Sequence, residues 1–219
     1  MKAVRCWANA DAEVWCIDLA QPLSDCPMPQ LSEDEVARAA RFVHERDGRR
    51  YLGARRALRC VLAGATGLRI EDLTFGRGPH GKPYLVGHTG WRFSLSRRID
   101  VALVAISAGP EIGVDVEPVG NVWDLEAMVE QVCSANERDL WTRHPVPDRP
   151  TAFATCWTRK EACLKAVGIG LSVEPSAIDV GLDRAVRHVK VPALTGEVLV
   201  RVESFAVDAG LVGSIAAFA

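Results

Sequence analysis

The sequence lacks the features that mark a membrane protein or a secreted one. No apolar run approaches the roughly eighteen residues that a membrane-spanning helix needs. The N-terminal Met1-Lys2-Ala3-Val4-Arg5 leads into mixed sequence without the apolar core of a signal peptide. The seven cysteines form no Cys-x-x-Cys pair, so a compact zinc knuckle is not indicated either. We therefore expect a cytoplasmic protein that does not contact the membrane.

Signatures of several common catalytic centres are also missing. The five histidines form no His-x-x-x-His pair, and no Gly-x-Ser-x-Gly nucleophile elbow is present. Residues 76–82 nearly match a phosphate-binding P-loop. However, Pro83 stands where that motif needs a Ser or Thr hydroxyl, and Pro79 removes a backbone N–H. These absences argue against a serine or cysteine hydrolase and against a P-loop enzyme.

What is present is an ordinary globular composition with an uneven distribution of charge. The 219 residues are 48% hydrophobic and 25% charged, and the net charge is −2. Residues 1–110 carry 16 basic and 12 acidic side chains, whereas residues 111–219 carry 10 and 16. A basic half joined to an acidic half suits a cleft in which an anionic ligand lies between arginines and a bound metal. Two solvated surfaces of different composition would give the same totals.

The positive charge of the first half is concentrated in an arginine run. Eight arginines lie between Arg38 and Arg59, against two acids, Glu45 and Asp47. Nucleic acid would be the first partner to consider, and a Mg²⁺-dependent nuclease is one alternative. Aromatic residues are sparse in the run, however, and the whole protein is slightly acidic. We therefore expect no nucleic-acid partner.

A helix is predicted from Trp157 to Val167, and Gly168 supplies its stop. Glu161 and Lys165 are four residues apart and share one face of this helix. Taken alone, they make a surface ion pair that stabilises the helix by about 0.2–0.5 kcal/mol.

A short apolar strand upstream changes that interpretation. In Gly113-Val114-Asp115-Val116-Glu117-Pro118, alternation places Asp115 and Glu117 on one side and the two valines on the other. Two carboxylates on one face repel each other unless a cation lies between them. With Glu161 as a third acid and Lys160 and Lys165 beside it, the set suits Mg²⁺ and a polyphosphate.

The layout of the first half is repeated, weakly in identity, in the second. In each half an arginine- or lysine-rich helix is followed by a Gly-x-x-Gly-Leu or Gly-x-Gly-Leu turn and later by a closing apolar strand, Val101 to Ile106 or Leu211 to Ala216. We predict an α+β fold of two similar halves related by a pseudo-twofold. Each half, 1–109 and 110–219, would be a small, mostly antiparallel sheet packed with helices. Internal duplication makes a monomer the default.

These motifs also resemble a known family. Gly-Val-Asp-Val-Glu at 113–117 and Trp-x-x-Lys-Glu-Ala-x-x-Lys-x-x-Gly-x-Gly-Leu at 157–171 are similar to the paired signature of the Sfp-type 4′-phosphopantetheinyl transferases. The resemblance implies that fold. It also implies Mg²⁺-dependent transfer of the phosphopantetheine arm of coenzyme A to a serine of an apo acyl or peptidyl carrier protein, with release of adenosine 3′,5′-bisphosphate. A non-catalytic protein that binds a nucleotide or a carrier domain is the rival hypothesis.

The resemblance assigns roles to the acidic and basic residues. Asp115, Glu117 and Glu161 would hold Mg²⁺, and Glu161 would also be the general base, directly or through water. Lys160 would neutralise phosphate, and Lys165 would stabilise the leaving side of the transition state.

The remaining coenzyme A contacts follow from shorter matches. Lys82 and Pro83 match the family's Gly-Lys-Pro loop, which lies against coenzyme A. Residues 93–97 stand where the family has Phe-Asn-x-Ser-His. Ser96 matches the family's serine, whereas Arg97 replaces the histidine and keeps a permanent charge for phosphate. Arg50 and Arg38 correspond to basic residues of the family in less distinctive surroundings.

Overall fold

The computed structural model describes residues 3–21, 31–120, 124–207 and 210–219. These parts of the chain form ten β-strands and five α-helices. The strands are β1 Ala3–Ala8, β2 Ala12–Asp18, β3 Phe75–Arg77, β4 Pro83–Leu85, β5 Arg92–Arg98, β6 Val101–Ser107, β7 Ile112–Pro118, β8 Arg187–Ala193, β9 Gly196–Val207 and β10 Leu211–Phe218. The helices are α1 Glu33–Ala39, α2 Glu45–Thr66, α3 Leu125–Val132, α4 Ala135–Arg143 and α5 Arg149–Val167.

Two four-stranded antiparallel sheets organise the fold. The first has the strand order β1-β2-β6-β5, and the second has the order β7-β10-β9-β8. Strands β3 and β4 form a separate two-stranded ribbon. The predicted α+β class with antiparallel sheets and helices is confirmed.

The two sheets share a three-stranded unit. In the first sheet, β6 lies between β2 and β5; in the second, β10 lies between β7 and β9, again with antiparallel neighbours. The fourth strand differs between the sheets: β1 lies beside β2, at one end of the unit, whereas β8 lies beside β9, at the opposite end. This common order agrees with the expected repeat, while the boundary at 109/110 stays a prediction. The first sheet ends in sequence at Ser107 and the second begins at Ile112.

The predicted stop of α5 at Gly168 is confirmed, whereas α2 continues through Gly64, where the sequence predicts a turn, and stops only at the second glycine of that motif. Helix α2 ends before Gly67, and α5 ends before Gly168; their φ angles of 72° and 77° are left-handed, which glycine tolerates without a steric cost. Each of these glycines donates its N–H to the carbonyl four residues earlier. No helix among the described residues is long and apolar enough to cross a membrane.

Each long helix covers one sheet, and a third cluster lies between the sheets. The buried Leu58 and Leu62 of α2 pack with the first sheet. Helix α5 packs in the same way on the second sheet through Cys163 and Leu164, among others. Apolar side chains of β2, β6, β7 and β10 fill the third cluster, including Val114. The alternation predicted for β7 is therefore present: its valines face the first sheet, while its carboxylates lie on the other side.

Helix α5 approaches β7 closely at Gly113. A Cβ atom at this position would lie 2.0 Å from the carbonyl oxygen of Ala162 and 2.4 Å from the backbone nitrogen of Ala166. Both contacts are with backbone, which cannot rotate away as the end of a side chain can. Only glycine permits this separation of helix and strand.

We therefore expect Gly113→Ala to destabilise the protein by about 3 kcal/mol, the upper end of the cost of overpacking. Urea unfolding at equilibrium measures this directly. Gly64→Ala in α2 is the matched control, because nothing lies within 4 Å of the added methyl group. That variant should be neutral or slightly more stable, since alanine favours helix. Equal stability of Gly113→Ala and wild type would contradict the close-contact interpretation.

Candidate active site

The site lies where the two sheets meet. Strand β5 of the first sheet runs beside β7 of the second, and two serines of β5 connect them. The backbone N–H of Val114 donates to Oγ of Ser94 at 3.1 Å. The hydroxyl of Ser96 donates to Oδ1 of Asp115 at 2.7 Å. Residues of both predicted halves therefore build one site.

Asp115 is the buried centre of this site. Its Oδ1 accepts hydrogen bonds from Ser96 and from the Lys165 ammonium, the latter at 2.6 Å. Its Oδ2 is also buried and has no hydrogen-bond partner among the described residues. An unpaired buried carboxylate oxygen is costly, and a cation is the partner that such an oxygen suits best.

Glu117 and Glu161 lie near Asp115, and the charge of Asp115 affects the pKa of both. Burial raises the pKa of Glu117, the Asp115 charge raises it further, and Arg98 opposes both. Burial also raises the pKa of Glu161, with Lys165 lowering it and Asp115 raising it. Lys165, one helical turn after Glu161, is thus close to all three acids.

Two cavities meet at Lys165. The larger is a cleft of about 1740 Å³, and the smaller measures about 520 Å³. Arg97 and Lys165 line both. Of the other residues predicted to bind coenzyme A, Arg38, Lys82 and Pro83 line the larger cleft, and Arg50 and Ser96 line the smaller. The structure therefore brings together all of the predicted binding residues except Lys160.

Arg97 is held against aromatic rings. Its guanidinium lies 5.3 Å from the ring centroid of Phe42 and 5.8 Å from that of Tyr51, and Arg38 stacks on Tyr51 at 5.5 Å. Burial lowers the pKa of Arg97, opposed by Asp47 and reinforced by Arg38 and Arg50. An arginine nevertheless stays charged throughout the physiological range. The stacking fixes the direction of this charge without neutralising it.

Arg50 and Lys82 already have anionic or carbonyl partners. Arg50 donates to Asp100 at 2.6 Å and to Asp47 at 3.1 Å. The Lys82 ammonium donates to Oε2 of Glu111 at 2.6 Å and to the Ala166 carbonyl at 2.7 Å. Burial lowers the pKa of Lys82, while Glu111 raises it. These contacts position both side chains at the cavity walls.

Lys160 does not face the site. Its side chain is fully buried, and its ammonium lies 2.6 Å from Oε2 of Glu137. It also donates to the carbonyls of Pro175, at 2.9 Å, and Ile178. The expected contact between Lys160 and phosphate is therefore not supported: a salt bridge in the core uses this charge. The helix turns Glu161 and Lys165 toward β7, and Lys160 toward α4 and the segment 175–178.

The same salt bridge explains a cluster that resembles a metal site. Ligand atoms of Cys133, Glu137 and Cys156 all lie within 4.8 Å of one another. The Lys160 ammonium already pairs with Glu137 of this cluster, and Glu137 additionally accepts the N–H groups of Val180 and Gly181. The cluster is therefore a structural clamp.

Sequence reasoning missed several residues of the site. Phe42 and Tyr51 stack on Arg97, Glu111 holds Lys82, and Arg98 pairs with Glu117 at 2.9 Å. In the sequence, Glu137 can be recognised only as the fourth residue of a Ser-x-x-Glu capping box, which is present in α4. That pattern gives no indication of its second partner, Lys160.

Comparison with known proteins identifies the class. Residues 111–203 match the family described as the 4′-phosphopantetheinyl transferase superfamily. Residues 25–109 match the family described as 4′-phosphopantetheinyl transferase, N-terminal. The chain belongs to the 4′-phosphopantetheinyl transferase superfamily, which confirms the resemblance found in its motifs.

Individual relatives cover most of the chain. The 4′-phosphopantetheinyl transferase HetI of Nostoc sp. is 34% identical over 167 residues, which are 74% of this chain and 70% of the relative. A 4′-phosphopantetheinyl transferase of Bacillus subtilis is 27% identical over 175 residues, covering 78% and 76%. An L-aminoadipate-semialdehyde dehydrogenase-phosphopantetheinyl transferase of Mus musculus is 22% identical over 169 residues, covering 69% and 53%.

The buried position of Lys160 predicts a loss of stability on substitution. Lys160→Met removes the charge but keeps much of the volume, and it leaves Glu137 buried without its counter-ion. We expect a destabilisation of about 3–5 kcal/mol in urea unfolding. Lys190→Met is the control, since Lys190 is exposed and lies 3.8 Å from Glu197. If Lys160→Met kept wild-type stability and instead raised the KM for coenzyme A, the phosphate-binding role would be restored.

Proposed function

We propose that the chain transfers the 4′-phosphopantetheine arm of coenzyme A to a serine of an apo acyl or peptidyl carrier protein. Adenosine 3′,5′-bisphosphate is released, and Mg²⁺ is required. The observation that carries the proposal is Asp115 in a chain of this superfamily. Its buried Oδ2 has no partner among the described residues, and its Oδ1 binds Ser96 and Lys165, which line the cavities. The family supplies the class of reaction, and the site supplies groups that suit it.

The cavities suit a long, highly anionic substrate. Coenzyme A carries a pyrophosphate and a further phosphate, which call for several cationic contacts. Arg38, Arg97 and Lys82 offer these in the larger cleft, with Pro83 at its wall; Arg50, Ser96 and Lys165 continue the surface in the smaller cavity. Arginine matches phosphate through two parallel N–H groups, so Arg97 can replace a smaller donor at this position.

The acidic residues fit a magnesium ion. Mg²⁺ prefers oxygen ligands and is commonly held by one or two carboxylates together with water and substrate phosphates. Asp115, Glu117 and Glu161 supply such oxygens, and Oδ2 of Asp115 has no hydrogen-bond partner in the described part of the chain. When bound, Mg²⁺ would stabilise the charge that develops on the pyrophosphate. Because the Lys165 ammonium already contacts Oδ1 of Asp115 at 2.6 Å, the site must adjust on binding.

We assign proton transfer to Glu161 and charge stabilisation to Lys165. As the serine oxygen bonds to the β-phosphorus, the bond from that phosphorus to the departing adenosine 3′,5′-bisphosphate breaks. The serine proton passes to Glu161, directly or through water. Burial raises the pKa of Glu161, Lys165 lowers it and Asp115 raises it. A carboxylate at this position can act as a general base. The Lys165 ammonium stabilises the leaving phosphate.

Other functions are less well supported. A non-catalytic protein on this fold would not need all three acids together with Lys165, and each of them is present. A cytoplasmic monomer remains our expectation for the whole protein.

One assay tests the function. The assay mixes wild-type protein with Mg²⁺, coenzyme A and an apo carrier protein. The mass of the carrier is then measured by mass spectrometry. We expect the mass of one phosphopantetheine to be added, and EDTA or Asp115→Ala to abolish the addition. Thermal unfolding of Asp115→Ala serves as the folding control. Near-normal transfer by Asp115→Ala would remove Asp115 from the metal site, and no transfer by wild type to any carrier would contradict the proposal.

Glu161→Gln tests the general base. Glutamine keeps the size and a hydrogen-bonding oxygen but loses the charge and the basicity. We expect kcat to fall by about 10²-fold or more, at unchanged stability. The control is Glu126→Gln in α3, another charge-to-amide change in a helix. A turnover within a few-fold of wild type would assign the proton to another acceptor.

Arg97 gives a prediction that depends on pH. A histidine is cationic below its pKa, near 6.5, and neutral above it. Arg97→His should therefore bind coenzyme A well at pH 6 and lose affinity as the pH rises, while wild type does not. Arg97→Ala should raise the KM about tenfold to a hundredfold at every pH, the scale of one charged hydrogen bond. A KM equal to wild type in Arg97→Ala would remove Arg97 from the site.

A further inference from the structure

Both carboxylates of β7 that we assign to the metal have a cationic side chain as partner. Lys165 binds Asp115, and the Nε atom of Arg98 lies 2.9 Å from Oε2 of Glu117. The proposed reaction gives Lys165 a task. It gives none to Arg98, although Arg98 neutralises a carboxylate at the centre of the site.

A constrained turn follows Arg98 directly. Arg98 and Val101 are the last paired residues of the β5–β6 hairpin, so Ile99 and Asp100 form its tip. Ile99 has a φ of 52°, a left-handed conformation that a β-branched residue rarely adopts. The tip is held from outside: Asp100 accepts from Arg50, and its carbonyl accepts the backbone N–H of Leu19 at 2.6 Å. Such conformations persist where the surroundings over-determine them.

The side chain of Arg98 also has space to move away from Glu117. It is 49% exposed, whereas that of Glu117 is 23% exposed. It lines the smaller cavity together with three other cations, Arg50, Arg97 and Lys165, against one acid, Asp47. A guanidinium that leaves Glu117 therefore stays beside the cavity in which an anion would lie.

We propose that Arg98 competes with the divalent cation for Glu117 and so couples binding of the cation to binding of the anionic substrate. The inference rests on the proposed function. In the absence of substrate, the cation must displace the guanidinium, which weakens its binding. With substrate present, a phosphate accepts the displaced guanidinium, and the competition is relieved.

The test is the affinity for Mn²⁺, measured at pH 8 without coenzyme A from the electron paramagnetic resonance signal of the free ion. Arg98→Gln should bind Mn²⁺ about tenfold more tightly than wild type, because one positive charge beside Glu117 is gone. Arg98→Lys keeps the charge and should stay within about threefold of wild type. Arg143→Gln is the matched control, because Arg143 is an exposed arginine that pairs with Asp139 and lines neither cavity. It should not change the affinity.

A second measurement tests the coupling. The same titration is repeated with saturating coenzyme A and no carrier protein. Coenzyme A should tighten Mn²⁺ binding in wild type by several-fold more than in Arg98→Gln. Thermal unfolding of each variant checks that the half-exposed substitution leaves the fold intact.

Two results would overturn the inference. One is an Mn²⁺ affinity of Arg98→Gln within about twofold of wild type; the other is equal coupling to coenzyme A in both proteins. Either result, with carrier modification intact in wild type, would leave the proposed function standing and make the Arg98–Glu117 contact a surface ion pair. Failure of wild type to bind Mn²⁺ and to modify the carrier would instead remove the proposed function itself.

Discussion

The backbone contact between α5 and β7 at Gly113 is the constraint on which the site depends. Because no side chain separates them, the helix lies on the strand at the positions of Ala162 and Ala166. Glu161 and Lys165 each come one residue earlier on the same helix, and they are therefore carried to the edge of β7 that bears the carboxylates. A wider separation of helix and strand would lengthen the 2.6 Å contact between Lys165 and Asp115 and open the acidic group to water.

Charge compensation is the second theme of the molecule, and it is used in two different ways. In the clamp around Lys160, each charged atom has protein partners and no exposure, so the pair is fixed and contributes to folding alone. Around Asp115, compensation is incomplete: one oxygen lacks a partner among the residues that the structure describes, and burial raises the pKa of both neighbouring glutamates. The incompletely paired residues around Asp115 can therefore respond to a ligand, whereas the fully paired residues around Lys160 cannot.

Local patterns were sufficient to predict much of the fold. Period-two alternation placed Asp115 and Glu117 on one side of a strand, and Gly168 marked the end of α5. These features depend on neighbours in sequence. The antiparallel α+β class followed from the order of such elements.

Contacts between distant segments could not be predicted in this way. Lys160 and Lys165 lie on one short stretch of helix with the same chemistry, and only packing decides that one enters the core while the other faces Asp115. The aromatic rings that hold Arg97 come from the α1–α2 region, some fifty residues away in sequence. For the site, the sequence pattern predicted which types of residue are present. Which of their side chains contact one another depends on the tertiary structure.

The shared strand order has a consequence for where a cation can bind. Counted from the paired ends of the strands, Trp15 and Ile17 of β2 occupy the positions that Asp115 and Glu117 occupy in β7. Ile17 is fully buried in the core beneath α2, and Trp15 packs against the same core. The first half thus fills with apolar side chains the place where the second half holds acids. The acidic pair of β7 therefore has no counterpart at the equivalent positions of β2, and the two sheets, although alike in strand order, are not equivalent as sites for a cation.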